Sequence, residues 1–376
     1  MNHPPRTTYA RLTPLQAGGV LAALALSSAL CVAVTLSPLA SRNPRASLPG
    51  PGDVALYHAE VDRIRAGEGY YAAAAAELTA RGYPTRSVFN WRTPLPMWLL
   101  GKLPWFGLGK LLLGGLSLAL ILLAFASLMR EDENRLTRPV LCALLLTGPL
   151  LPTVLGDLCV LPVLWAGVLI ALSACAYGIR RPYWGMALGL AAVFFRELAL
   201  PYALLAVIMA WRSRRRGELL AWGIGLAAWL LFFGWHWLCV RPLITPQALA
   251  HRESWLQFGG AAFVISTAQM NAYLLLLPQW VTALYFTAAL FGFAGWHSPL
   301  AARVGLTSCL FVAFLAVIGH NFNQYWGSLI APLMCFGVAR FPDSLVDLCR
   351  AARAADQGGG RESRQRLSTK NLELRT

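Results

Sequence analysis

The chain has 376 residues, of which 57% are hydrophobic and only 13% charged, and it carries a formal net charge of +15. One soluble core cannot hide that much apolar surface, which excludes an ordinary globular domain and predicts a membrane protein. The basic residues cluster in short connections between apolar runs, the pattern of positive-inside topology, so no nucleic-acid partner is expected.

Apolar runs of the ~20 residues that a helix needs to cross a bilayer recur along the whole length. The fold class expected is therefore all-α, a multi-pass transmembrane helical bundle of about ten spans with a long first external loop carrying surface helices. The period-2 alternation of a membrane β-barrel is absent. Eight cysteines are scattered without CxxC or Cys/His spacing, and most lie inside apolar runs, where they read as small apolar fillers rather than disulfides or metal ligands.

Leu15 to Leu36 is apolar and preceded by Arg6 and Arg11, which suits a retained signal-anchor with a cytoplasmic N-terminus. Residues 38–93 then form the external loop. Trp105 to Met129 returns the chain inward; Pro139 to Leu155 goes out, with Asp157 at the turn; Leu158 to Tyr177 comes back to Arg180-Arg181. Tyr183 to Trp211 has Arg196-Glu197 at its centre and basic clusters at both ends. Two short halves meeting at Arg196-Glu197 keep both clusters on one side, as a single span would not. Leu219 to Leu238 leads to a second external loop from Cys239 to about Gly260. Of the next two apolar stretches, separated by Pro278, one is expected to be interfacial or re-entrant. Arg303 to Gly319 goes out, and a polar turn at His320 to Trp326 precedes the last return. Residues 341–376 are basic and polar and read as a cytoplasmic tail without fixed structure.

Of 17 acids, Asp157, Glu197, Glu218 and Glu253 stand among the later membrane connections, and all but Glu218 map to the external side. Ionisable groups at membrane depth are costly and mark functional or paired sites, so the external side is the expected working face. In the first loop, Asp53 follows Gly50-Pro51-Gly52 and opens an amphipathic stretch. Val54, Tyr57, Val61 and Ile64 share one stripe, and His58, Asp62 and Arg65 another. Asp53 reads either as a helix cap or as a reactive carboxylate. Glu60 and Asp62 diverge by about 200° on a helix and read as solvated surface. Gly67-Glu-Gly69 ends this helix; Tyr70 to Arg81 forms a second, and the strip Tyr83 to Pro94 returns Arg92 to the membrane surface. Neighbours on a helix do not face each other, so Arg196 and Glu197 are each expected to have a different partner, with phosphate or Asp157 offered for Arg196. His320, with Asn321, Asn323 and Gln324 near it, could hydrogen-bond a sugar or phosphate.

On these residues the chain resembles the GT-C superfamily of membrane glycosyltransferases: a first span, then a long external loop with surface helices and an acid near its start, Gly52-Asp53. Asp53-x3-Tyr57, Gly67-x-Gly69-Tyr70-Tyr71, Tyr83-Pro84 and Arg92-x-Pro94 are similar to the bacterial polyprenol-phosphate-mannose-dependent branch. The resemblance implies a catalytic membrane domain over residues 1–340, in a bacterial cytoplasmic membrane, with the site facing the periplasm and both termini in the cytoplasm. It implies inverting transfer of a sugar, mannose or another hexose or pentose, from a polyprenyl-phosphate donor to a lipid, glycan or protein acceptor. Asp53 would be the catalytic base and Arg196, Arg92 and His320 the donor-phosphate groups. Asp157 and Glu197 would serve as a second acid or in positioning, and Tyr57, His58, Asn321 and Gln324 as substrate contacts. A divalent cation, Mg or Mn, stays open, because no acid pairs clearly with Asp53. The competing expectation is a transporter or flippase, whose charges would line a path through the membrane rather than gather at one face.

Overall fold

The structure, a computed structural model, describes residues 7–37, 52–131, 136–250 and 256–373, except for the side chains at 321 and 355–373. Among the described residues the regular structure is helical, with one isolated bridge between Leu256 and Ile318. The α-helices in chain order are α1 (Pro14–Leu36), α2 (Gly52–Arg65), α3 (Tyr70–Ala80), α4 (Leu95–Lys102), α5 (Gly107–Met129), α6 (Thr137–Leu150), α7 (Pro162–Gly178) and α8 (Pro182–Phe195). They continue with α9 (Leu200–Arg212), α10 (Arg216–Val240), α11 (Gly260–Ala268), α12 (Ala272–Leu275), α13 (Gln279–Gly295), α14 (Pro299–Val317) and α15 (Ala331–Glu373). A 3-10 segment, Asn321–Leu329, lies between α14 and α15.

Among the described residues four helices are long and apolar enough to cross a membrane: α1, α5, α10 with its terminal turn, and α14. A fifth crossing arises if Phe322–Leu329 and Ala331–Ala354, bent by 63°, act as one span. About ten spans were expected, and length and composition of the helices carry four or five. The physical reason is that polar and proline breaks cut the other apolar runs into short helices. Arg196 separates α8 from α9, Asn271 and Pro278 separate α11, α12 and α13, and α6 ends in a 3-10 turn at Leu151–Thr153. Both α2 and α3 fall where the glycines and the amphipathic stripe place them.

Helix α7 is the centre, with Pro162 through Ala176 buried, as an element apolar all round must be. Ser173 on α7 meets the Tyr202 hydroxyl of α9 at 2.6 Å and also donates to the Gly185 carbonyl of α8. Helices α8 and α9 therefore fold back side by side, and the two-halves expectation holds for this segment.

The boundary expected at residue 340 moves. Helix α15 runs on through Pro342, and residues 341–354 are packed. Thr7 donates to Asp347 Oδ2 from its backbone N at 2.8 Å and its hydroxyl at 3.0 Å, Arg138 pairs with Asp343, and Leu348 is buried with Tyr9 and Ala17. The polar residues that suggested a loose tail are here satisfied by α6 and the N-terminal segment.

The 3-10 segment is held by close backbone approach. A Cβ at Gly327 would meet the Thr267 carbonyl of α11, and one at Gly167 of α7 would meet the Ser328 carbonyl. Gly327→Ala is therefore expected to destabilise the fold by ~1–3 kcal/mol. A thermal melt in detergent, with Gly223→Ala as the control because nothing lies within 4 Å of its added Cβ, checks it; equal melting temperatures would show that the segment yields.

Candidate functional site

Asp53 sits in the first turn of α2, where the helix macrodipole favours an anion. Its Oδ1 accepts from the Tyr83 hydroxyl at 3.0 Å and its Oδ2 from the Tyr325 hydroxyl at 2.8 Å. Burial and the Asp53 carboxylate raise the Tyr83 phenol above its ordinary pKa, which keeps it a donor. A carboxylate offers about four lone-pair sites, so two phenols orient Asp53 without exhausting its capacity to accept a proton. Tyr325 comes from the 3-10 segment, 272 residues away, beyond the reach of any local spacing argument.

Tyr57 lies one turn beyond Asp53 on α2 and is buried. Its hydroxyl accepts from Arg92 Nε at 2.8 Å, while Arg92 Nη1 donates to the Phe89 carbonyl at 2.9 Å. Tyr70 of α3 donates to the Arg92 carbonyl. Within the strip that carries Arg92, Asn90 Nδ2 donates to the Pro84 carbonyl at 2.7 Å and Trp91 Nε1 to the Thr85 carbonyl at 2.9 Å. The strip is thus a fixed arch over α2, which accounts for the placement of a long cationic side chain in an otherwise irregular segment.

Arg196 and Glu197 overturn the expectation of separate partners. Arg196 leaves the helix with φ −152° and ψ 117°, so the two side chains can converge, and Arg196 Nη1 lies 3.0 Å from Glu197 Oε1. The same Glu197 oxygen lies 3.9 Å from Arg92 Nη1. Asp157 plays no part in this pairing. The Arg196 side chain is only 3% exposed, and its Nη1 has no hydrogen-bond partner of acceptable geometry despite the nearby carboxylate. Both Tyr57 and Tyr325 feel the charges of Asp53, Arg92 and Arg196, which puts these groups in one electrostatic cluster.

Glu60 is the group that the sequence reading missed. It was expected at the solvated surface, yet it is 2% exposed with Oε2 unpartnered. Burial pushes its carboxyl from 4.5 up to about 8, opposed by Arg92 and assisted by Glu77 and Asp53. The signal was present: Glu60 is three residues from Tyr57 and four from Ile64, on the buried stripe. Asp62 is exposed, as expected.

The remaining candidates fall elsewhere. His58 is five residues from Asp53, about 140° around the helix; its Nδ1 is 3.0 Å from Asp62 and its Nε2 3.7 Å from Asp157. Asp157 is half-exposed, 2.9 Å from Lys110 Nζ, whose hydrogen bond lowers the carboxyl pKa. His58 and Asp157 therefore build a surface ion cluster on another face of α2, and the structure does not bring Asp157 to Asp53 as a second acid. His320 is buried with its ring stacked on Phe322 at 5.0 Å, at the N-cap of the 3-10 segment that carries Tyr325 and Gln324. The side chain of Asn321 lies outside the described residues. Among the described residues, no three His, Cys, Asp or Glu side chains group to hold a metal ion.

A proton held by folded Glu60 but released by the unfolded chain makes stability fall as pH rises from about 4.5 toward about 8. Glu60→Gln removes that slope, so its melting temperature should match the wild type near pH 5 and exceed it at pH 8, in melts recorded at both pH values. A constant difference between the two proteins would place the Glu60 proton elsewhere. Comparison with protein-family models, characterised proteins and solved structures returns no match, so the chemistry of the site rests on its own geometry.

Proposed function

We propose that the protein is an inverting membrane glycosyltransferase that takes a sugar from a polyprenyl-phosphate donor and delivers it to a lipid, glycan or protein acceptor. The observation that carries this reading is the cluster itself: an oriented carboxylate, Asp53, and a buried guanidinium, Arg196, whose Nη1 lacks a hydrogen-bond partner, both acting on the Tyr57 and Tyr325 phenols. The acceptor hydroxyl attacks the anomeric carbon, its proton passes to Asp53, and the bond between that carbon and the phosphate oxygen breaks. Negative charge grows on the departing phosphate, where Arg196 and Arg92 supply planar cationic donors. Glu197, shared by the two guanidiniums, spaces them when no phosphate is bound.

In this reading the short helices complete about ten crossings by meeting at breaks such as Arg196. The cluster opens to the periplasmic side of a bacterial cytoplasmic membrane, and both termini are cytoplasmic. Gathering of the charged groups at one end of α8 favours an enzyme over a transporter, which would need them along a path through the bundle.

Asp53→Asn is expected to lower sugar transfer by ~100-fold or more while leaving donor affinity intact. Arg196→Ala is expected to weaken the donor by roughly tenfold or more and to spare the acceptor. Both are measured with a polyprenyl-phosphate sugar in detergent, where no two compartments exist and transport gives no signal. Wild-type turnover in Asp53→Asn would remove the proposed base.

A further inference from the structure

Helices α9 and α10 are joined by a tight turn at the end of the bundle opposite Asp53. Helix α8 starts at that end and finishes at Arg196, and α10 leaves it to bring His236 Nδ1 within 3.1 Å of the Tyr71 hydroxyl on α3. Twenty-five helical residues make α10 about 37 Å long, so the two ends are a membrane thickness apart. Around the turn, Ala210, Trp211, Arg212, Arg214, Arg216 and Leu219 line a cavity of about 700 Å³.

Exposure, charge and an adjoining apolar stripe set this cavity apart from scattered basic residues at a helix end. Arg212, Arg214 and Arg216 are exposed and form no ion pair among the described residues. The acid of the turn, Glu218, is buried and occupied elsewhere, 3.4 Å from Arg215 and 3.9 Å from Arg303. Arg214 is the left-handed residue that caps α9, with φ at +55° and its N–H donating to the Trp211 carbonyl at 3.0 Å. Finally, Leu204, Ile208 and Trp211 form an exposed apolar stripe at i, i+4 and i+7 along α9 that runs straight to Arg212.

We propose that this cavity binds the headgroup of an anionic glycerophospholipid, its phosphate held by Arg212, Arg214 and Arg216 and its acyl chains laid along the α9 stripe. The arginines match a phosphate, and the stripe selects a lipid over a soluble phosphate, which would have no use for it. The site is in the leaflet opposite the Asp53 cluster. It rests on the reading of the chain as membrane-embedded and not on the transferase reading, so either can fail alone.

The test uses the full chain, delipidated in neutral detergent and mixed with equal dioleoyl phosphatidylglycerol and dioleoyl phosphatidylcholine, with retained lipid counted by native mass spectrometry. The wild type should retain phosphatidylglycerol preferentially, and the preference should fall about fivefold per arginine removed in R212Q/R214Q/R216Q. The R361Q/R364Q/R366Q variant loses the same charge from the C-terminal region and should keep the preference. Should the triple variant fold poorly, Arg214→Gly decides the matter: glycine suits the left-handed backbone, so the melting temperature should hold or rise while phosphatidylglycerol retention drops. No preference in the wild type, equal loss in both triple variants, full retention in Arg214→Gly, or displacement of the lipid by equimolar glycerol 3-phosphate would each overturn the proposal.

Discussion

A guanidinium out of water must be matched, and Arg196 shows what the fold does to match it. Burying an unpaired charge costs several kcal/mol, so the chain breaks α8 at Arg196 and turns Glu197 back toward its own neighbour. That break has two consequences. It makes α8 and α9 an antiparallel pair clamped by Ser173, and it sets the shared Glu197 oxygen between Arg196 and Arg92. Glu197 thereby reaches the arch over α2, whose own hydrogen bonds place Arg92.

The match is incomplete, and the shortfall is informative. Arg196 Nη1 has a carboxylate at contact distance without a hydrogen bond to it, and Glu60 has a buried oxygen with no partner at all. Native interiors satisfy the great majority of such groups, and exceptions concentrate where a ligand or a proton is to be handled. Asp53, by contrast, is held by Tyr83 and Tyr325 from two remote parts of the chain. One oriented acid, one under-bonded cation and one carboxyl whose pKa burial raises to about 8 thus stand close together in the fold.

The opposite end of the bundle has a different character. There Glu131 receives Trp296, Ser298 and Arg340, and Asp343 and Asp347 tie α15 to α6 and the N-terminal segment. These contacts close the ends of helices that burial alone would leave sliding. They also explain why residues 341–354 fold with the body although their composition reads as solvated.

By itself the sequence determined the helical class, the presence of helices long and apolar enough to cross a membrane, and the two helices α2 and α3, and it singled out Asp53, Tyr57, Arg92, Arg196 and Glu197. These follow from local quantities: run length, period, glycine punctuation and the cost of charge in an apolar run. Only the tertiary structure decided that Tyr325 joins Asp53, that Glu197 serves both arginines, that Glu60 is buried, and that Asp157 belongs with Lys110 and His58. Each depends on which elements pack together, and a stripe on one helix does not say what will cover it. The number of long apolar helices, four or five among the described residues, falls below the number of apolar runs for a related reason. Hydropathy sums residues along the chain, whereas a single long helix needs an unbroken ladder of backbone hydrogen bonds, and residues such as Arg196, Asn271 and Pro278 interrupt that ladder without altering the average.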